Sequence, residues 1–240
     1  MPDVSAVHPV VFAYNFPHKK TQDFLQRLVL LGMRPLAVLA ADPVRLNLPV
    51  RQLRVKPRHC DLIHPQEICH RLEIPYHVVD HGGPRCVDLL ARLSPRLGVV
   101  AGARVLPPEV IERFTVGIVN FHPGLIPEVR GLDALSWAIY HGLPLGVTAH
   151  LIDRRVDAGH IVERRVIEEF SDDALVDLSL RLSETQVQML ATSIPMAVGN
   201  SDPAHEPVHE GRYRPPFPAE LIPAMQARFE QRHERPRKSA

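Results

Sequence analysis

The stretch LGVVAGARVLPPEVIERFTVGIVN, Leu97 to Asn120, decides the fold. Leu97 to Ala101 (LGVVA) is a short apolar run, the pattern of a strand buried on both faces. A short helix is predicted at Pro108 to Phe114, and a second buried-looking strand follows at Val116 to Asn120 (VGIVN). Upstream the rhythm repeats. Val10 to Tyr14, Leu36 to Ala40 and Tyr76 to Val79 read as strands. Between them, Thr21 is placed to cap a helix carrying Phe24, Leu25, Leu28 and Leu31 on one face, stopped by Gly32. Further helices are predicted near Pro65 to Leu72 and from Cys86 to Leu93.

Strand and helix alternating in this way imply an α/β fold: a Rossmann-like open, mainly parallel twisted sheet with helices on both faces and right-handed crossovers. Ligands of such sheets sit outside the carboxyl ends of the strands. Asn120 ends its predicted strand, so the rule points to the loop from Asn120 to Gly131. Downstream, Gly146 to Ile152 and His160 to Val166 alternate as strands. Ser171, Asp172 and Asp173 are then placed to cap a long helix with a stripe of Leu175, Leu178, Leu182, Met189 and Leu190, ending by about Pro195. After Gly199 the chain turns dense in Pro and His. The expected division is a catalytic domain over residues 1–196 and a C-terminal extension over 197–240 that wraps it, the last ten or so residues disordered.

Composition excludes several classes. The 240 residues are 45% hydrophobic, enough for a core, and carry a formal charge of +1, which gives no footprint for nucleic acid. Three cysteines are too few and too odd for a disulfide framework. With no visible signal sequence or membrane span, the expectation is a cytoplasmic protein that binds neither membrane nor nucleic acid. His59, Cys60, His64, Cys69, His70, His77 and His81 have no standard zinc spacing, so no metal is expected.

The chemistry is concentrated in three segments: Asn120-Phe-His-Pro-Gly-Leu-Ile-Pro-Glu-Val-Arg-Gly131, Gly146-Val-Thr-Ala-His150 and Val156-Asp-Ala-Gly-His-Ile161. A spacing of two puts Asn120 and His122 on one face of an extended segment. Pro123 and Pro127 stiffen the loop beyond. Asp157, two residues before Gly159, sits in a turn from which a carboxylate can enter the same cleft. Amide, imidazole and carboxylate form an acyl-transfer set. No Ser or Cys nucleophile accompanies them, so the attacking group comes from the substrate.

These segments, in this order, resemble the signature of the folate-dependent formyltransferase family, which includes glycinamide ribonucleotide transformylase, methionyl-tRNA formyltransferase and the sugar-nucleotide N-formyltransferases. The resemblance runs weakly from Val10 and strongly from Val99 to Val162. It implies 10-formyltetrahydrofolate as donor co-substrate and Asn120, His122 and Asp157 as the catalytic three. Asn120 and a protonated His122 would stabilise an oxyanion while Asp157 keeps His122 charged and takes the proton of the amine. His150 falls on the family's second histidine, as a supporting group. The donor site is implied at Arg104, Val105, Leu106, Ile152 and Val156, the apolar pair Val105 and Leu106 sandwiching the pterin. The acceptor site is implied at Lys19, Lys20, Arg130 and Gly131. Two departures narrow the acceptor. The family's Ser after His-Pro is Gly124, and the glycine-rich phosphate loop of the purine enzymes is replaced by Tyr14-Asn-Phe-Pro-His-Lys-Lys20. The residues after Met196 are too few for the second domain of the tRNA enzymes. The expectation is a small-molecule amine, an amino sugar nucleotide being the candidate, with a homodimer allowed. A formyltetrahydrofolate hydrolase and a non-catalytic ligand-binding relative are the alternatives. A nicotinamide dehydrogenase is disfavoured because no G-x-G-x-x-G follows the first strand.

Overall fold

The computed structural model describes residues 7–44, 61–154, 157, 159–199, 211 and 213–234. In chain order the elements are β1 (Val10–Tyr14), α1 (Lys19–Leu30), β2 (Ala37–Ala41), α2 (Pro65–Arg71), β3 (Tyr76–Val78), α3 (Pro84–Leu93), β4 (Leu97–Val100) and α4 (Pro108–Ile111). Then come β5 (Gly117–His122), β6 (Arg130–Gly131), α5 (Ala134–His141), β7 (Gly146–Leu151), β8 (His160–Val166), α6 (Leu175–Gly199), β9 (Tyr213–Arg214) and α7 (Ile222–Glu234).

Seven strands form one sheet in the order β3-β2-β1-β4-β5-β7-β8. The pairs from β3 to β5 are parallel; β5–β7 and β7–β8 are antiparallel. The strand period of two separates the core into two layers. Val11 and Ala13 of β1 face one side with Phe24, Leu28, Leu182 and Met189, while Val10 and Phe12 face the other with Cys86, Leu90, Val110 and Phe114. The mainly parallel, doubly covered sheet expected from the sequence is present. β2 lies on one side of β1 and β4 on the other, so a crevice opens where the strand order reverses.

Local boundaries differ from expectation for physical reasons. α1 begins at Lys19, with His18 at its N-cap, and Thr21 is a buried residue inside the helix. Its hydroxyl donates to the Ala101 carbonyl at 3.3 Å and accepts from His18 Nδ1 at 2.9 Å. β5 runs two residues past Asn120 because β7 pairs with it through His122↔Thr148. α6 begins at Leu175, and the Asp173 carboxylate instead accepts from Phe170 N–H at 2.7 Å and pairs with Arg181. The helix also passes through Pro195 and the expected domain edge at Met196, since Ile194 and Ala197 continue its buried face.

Gly211 and residues 213–234 pack on the body. β9 pairs in parallel with the short strand β6, and α7 packs on α5. The Arg228 guanidinium lies 4.6 Å over the Tyr140 ring, Arg232 and Glu169 pair at 2.6 Å, and Met225 is fully buried. α7 reaches Glu234, into the stretch expected as a tail, and residues 235–240 lie outside the described residues. Met225→Ala should therefore cost about 2–5 kcal/mol of global stability in urea unfolding, as for a buried Met truncated in a core. An unchanged midpoint would show that α7 is not part of the cooperative unit.

Candidate active site

A cleft of about 420 Å³ opens at the carboxyl ends of β1, β4 and β5. Tyr14 ends β1, residues Ala101 to Ala103 follow β4, and Asn120 and His122 belong to β5. The segment Gly131 to Ser136 and Asp157 complete one wall. Ser179, Ser183 and Gln186 of α6 form the other.

The β5–β7 register sets Asn120 directly opposite His150. Both project toward Asp157, which is held with φ +48°, an uncommon left-handed conformation that turns its carboxylate back to the strands. Asp157 is 12% exposed on its side chain, so its charge needs donors. Oδ2 accepts from Gly131 N–H at 3.0 Å and lies 3.4 Å from His122 Nδ1. Oδ1 lies 3.4 Å from Asn120 Nδ2 and 3.6 Å from His150 Nε2.

His122 has a second anchor. Its Nε2 donates to the Val129 carbonyl at 2.9 Å, which fixes the proton on that nitrogen and leaves Nδ1 toward Asp157. Gly124 makes room for the ring, since a Cβ there would stand 2.8 Å from Nε2. His150 is fully buried and its Nδ1 has no partner among the described residues. A lone pair is cheaper to strand than an N–H, so the proton belongs on Nε2, facing Asp157.

Burial pushes the His122 imidazole below its ordinary value, against the opposing pull of Asp157. The sequence-based expectation of a His122 kept charged by its carboxylate is thus corrected: the ring is buried deeply enough that desolvation wins. Burial also acts to raise Asp157, but the His150 N–H facing it at 3.6 Å, the charges of His122 and His150 and the Gly131 N–H overcome it and hold the carboxyl at about 2.

The other expected site residues divide. Lys20 lines the cleft and donates from Nζ to the Phe121 carbonyl at 3.0 Å. Lys19 does not line it; its ammonium pairs with Asp23 one helical turn on. Arg130 is drawn away from it by the Gly211 carbonyl, 2.8 Å from Nη1. Gly131 lines the cleft, but its N–H is committed to Asp157. Arg104 is exposed, with Nη2 3.5 Å from the Asp42 carbonyl. Leu106 is packed in the core and Ile152 packs against the same cluster, whereas Val105 is 71% exposed, so Val105 and Leu106 are not a facing pair. None of these four lines this cleft, and Val156 lies outside the described residues. Ser179, Ser183 and Gln186 were missed. Their signal is the helical spacing of four and three, with Ser179 and Gln186 buried as polar residues on the core side of α6. Among the described residues no group of three or more His, Cys, Asp or Glu could hold a metal, and no helix is long and apolar enough to cross a membrane.

Comparison with known proteins identifies the family. Methionyl-tRNA formyltransferase of Chlorobium chlorochromatii is 30% identical over 125 residues, 51% of this chain and 40% of the relative. That of Thermosynechococcus vestitus is 34% identical over 113 residues, 46% of this chain and 34% of the relative. The chain thus spans less than half the length of these curated relatives. Among solved structures, a sugar N-formyltransferase from a Shewanella species superposes with a TM-score of 0.61 at 18% identity, covering 87% of this chain and 76% of that one. Glycinamide ribonucleotide transformylase 1 from Symbiobacterium toebii superposes with a TM-score of 0.62 at 19% identity, covering 84% and 93%. These likenesses show the shared fold. Residues 62–194, more than half of the chain and including β5, β7 and the Asp157 turn, match the Formyl transferase family, and the protein belongs to that family.

Proposed function

We propose that this cleft moves a formyl group from 10-formyltetrahydrofolate to the amine of a small-molecule acceptor, of the amino-sugar kind. The observation that carries the reading is the convergence of Asn120, His122 and His150 on the buried Asp157 carboxylate at the carboxyl ends of the central strands. The wall at Ala101 to Ala103 bears nothing larger than a methyl, which suits a flat heterocycle approaching the main chain. The wall on α6 offers hydroxyl and amide groups, Ser179, Ser183 and Gln186, which suit a polyhydroxylated acceptor.

In this reading the attacking amine is neutral and sheds a proton as the tetrahedral adduct forms. His122, neutral and anchored through Nε2–H to Val129, takes that proton on Nδ1. Asp157, 3.4 Å away, balances the imidazolium. Asn120 supplies the oxyanion donor: its hydrogen bond to Asp157 Oδ1 is long, at 3.4 Å, and the protonated His150 Nε2 beside it accepts nothing, so an N–H can turn to the developing charge. His150 keeps Asp157 oriented and ionised. On collapse the proton passes to the departing folate nitrogen.

The test is an acceptor panel incubated with 10-formyltetrahydrofolate, followed by release of tetrahydrofolate. Asn120→Ala should lower kcat by about 10²–10³-fold and Asp157→Asn by about 10²–10⁴-fold. Full turnover in either variant sinks the mechanism. Formate released without any amine would make the protein a hydrolase using the same residues.

His122 also makes a prediction about pH. Its ring should titrate below 6.5 by histidine NMR, and lower still in Asp157→Asn, where the opposing charge is gone. The unfolded imidazole protonates first, so this contribution to stability is lost as pH falls from about 6.5 toward the folded midpoint. A wild-type midpoint above 6.5 would overturn the assignment of burial as the dominant cause.

A further inference from the structure

The two catalytic partners share one backbone segment. The Val129 carbonyl holds His122 Nε2 and, two residues on, the Gly131 N–H holds Asp157 Oδ2. These are the shortest contacts that either side chain makes within the cluster, at 2.9 and 3.0 Å. Where this segment sits therefore sets where both groups point.

The segment is in turn held by residues far away in sequence. Arg130 pairs in register with Tyr213 and Gly131 with Arg214. Leu132 N–H donates to the Arg214 carbonyl at 3.0 Å, and Arg130 Nη1 to the Gly211 carbonyl at 2.8 Å. The indole N–H of Trp137 donates to the Pro215 carbonyl at 2.8 Å, and Phe217 N–H to Asp133 Oδ2 at 3.0 Å. Arg214 lies 5.3 Å over the Trp137 ring, and Phe217 meets that ring edge-on at 4.8 Å. Gly131 records how closely the chains approach: it has φ +96°, and a Cβ there would stand 2.3 Å from the Arg214 carbonyl oxygen.

We infer that Gly211 and residues 213–217 are a positioning strap for the active site, fixing the 129–133 segment so that its carbonyl and its N–H aim His122 and Asp157 at the reacting amine. The strap touches no reacting atom; Gly131 and Trp137 are positioning residues, acting through Asp157 and His122. The inference rests on the catalytic roles proposed above. It explains why an element outside the expected catalytic domain is docked by main-chain hydrogen bonds instead of by side-chain contact alone. Asp157 answers to His122 and His150 on the strands and to the Gly131 N–H on the strapped segment, with the Lys20 ammonium also facing His122. Asn120, on β5, is a further partner, and of the four the Gly131 N–H is the one the strap controls.

The experiment uses the full chain. Trp137→Phe keeps a ring but removes the donor to Pro215, and Gly131→Ala forces the segment and strap apart. Each is assayed for turnover and for the Michaelis constant toward the formyl-folate donor, alongside amide hydrogen exchange at neutral pH read by NMR. In Trp137→Phe the Gly131 amide should exchange at least about 10-fold faster, with the amides of β4 and β5 unchanged. Turnover should fall by about 10-fold with the folate Michaelis constant unchanged, the signature of lost orientation. Gly131→Ala should be worse in both respects, and if it fails to fold, Trp137→Phe decides alone. Faster Gly131 exchange with unaltered kcat overturns the inference, as does unaltered exchange. If the wild-type protein shows no formyl transfer or release at all, the functional reading falls, while the exchange data still report whether the strap holds Gly131.

Discussion

A carboxylate removed from water must be answered by donors, and the arrangement of this site follows from how Asp157 is answered. Leaving such a charge unpaired costs several kcal/mol, so the donors are structural necessities as much as chemical ones. They arrive from three places: the central strand β5, the antiparallel strand β7 and the backbone at Gly131. The sheet can deliver Asn120 and His150 together because β5 and β7 run antiparallel, which sets the two residues opposite each other. A parallel neighbour at that edge would need a different register. The change of strand direction beyond β5 is thus part of how the site is assembled.

Much of the architecture is legible in the sequence because it rests on local pattern. Apolar runs such as Val10 to Tyr14 and Leu97 to Ala101 can be strands only if both faces are covered, and that alone selects the sheet type. The spacing of two between Asn120 and His122 is enough to place them on one face of an extended chain. What is not legible depends on partners distant in sequence. His150 is marked in the sequence only by the resemblance, as a supporting group; its place opposite Asn120, facing Asp157, needs the register. Lys19 and Arg130 look like ligands for an anion, but Asp23 and the Gly211 carbonyl claim them. The charge state of His122 escapes a sequence reading because burial, invisible there, outweighs a carboxylate that is visible. At the helix ends the sequence offers Thr21, Ser171 and Pro195 as punctuation, and packing overrides all three.

The cleft is chemically asymmetric. Its floor near β1 is aromatic: Tyr14 stacks on Phe16 at 5.0 Å, meets His18 edge-on at 5.2 Å and donates its hydroxyl to the Ala103 carbonyl at 3.0 Å. Rings bonded to the main chain in this way leave little room for backbone amides to gather round an anion. The wall on α6, by contrast, is built of small uncharged polar groups on a helix otherwise committed to the core. Selectivity in such a cleft comes from hydrogen-bond matching and shape, because a site that satisfies hydroxyls rejects analogues that lack them far better than it rejects a missing methylene.

Trp137 is the single tryptophan of the chain. Its indole, carried on α5, faces the strap, stacked on His141 at 5.7 Å and bonded to Pro215. Burial lowers the affinity of His141 for a proton, and the charges of Arg214 and Arg228 lower it further. An imidazole against an indole quenches its emission most strongly when charged, so the His141 ring here is a weak quencher at neutral pH. The protein therefore carries a native fluorophore at the joint between its C-terminal segment and its active-site loop. Undocking that joint would hydrate the indole and shift its emission to the red, giving an optical report on the geometry of the site without any label.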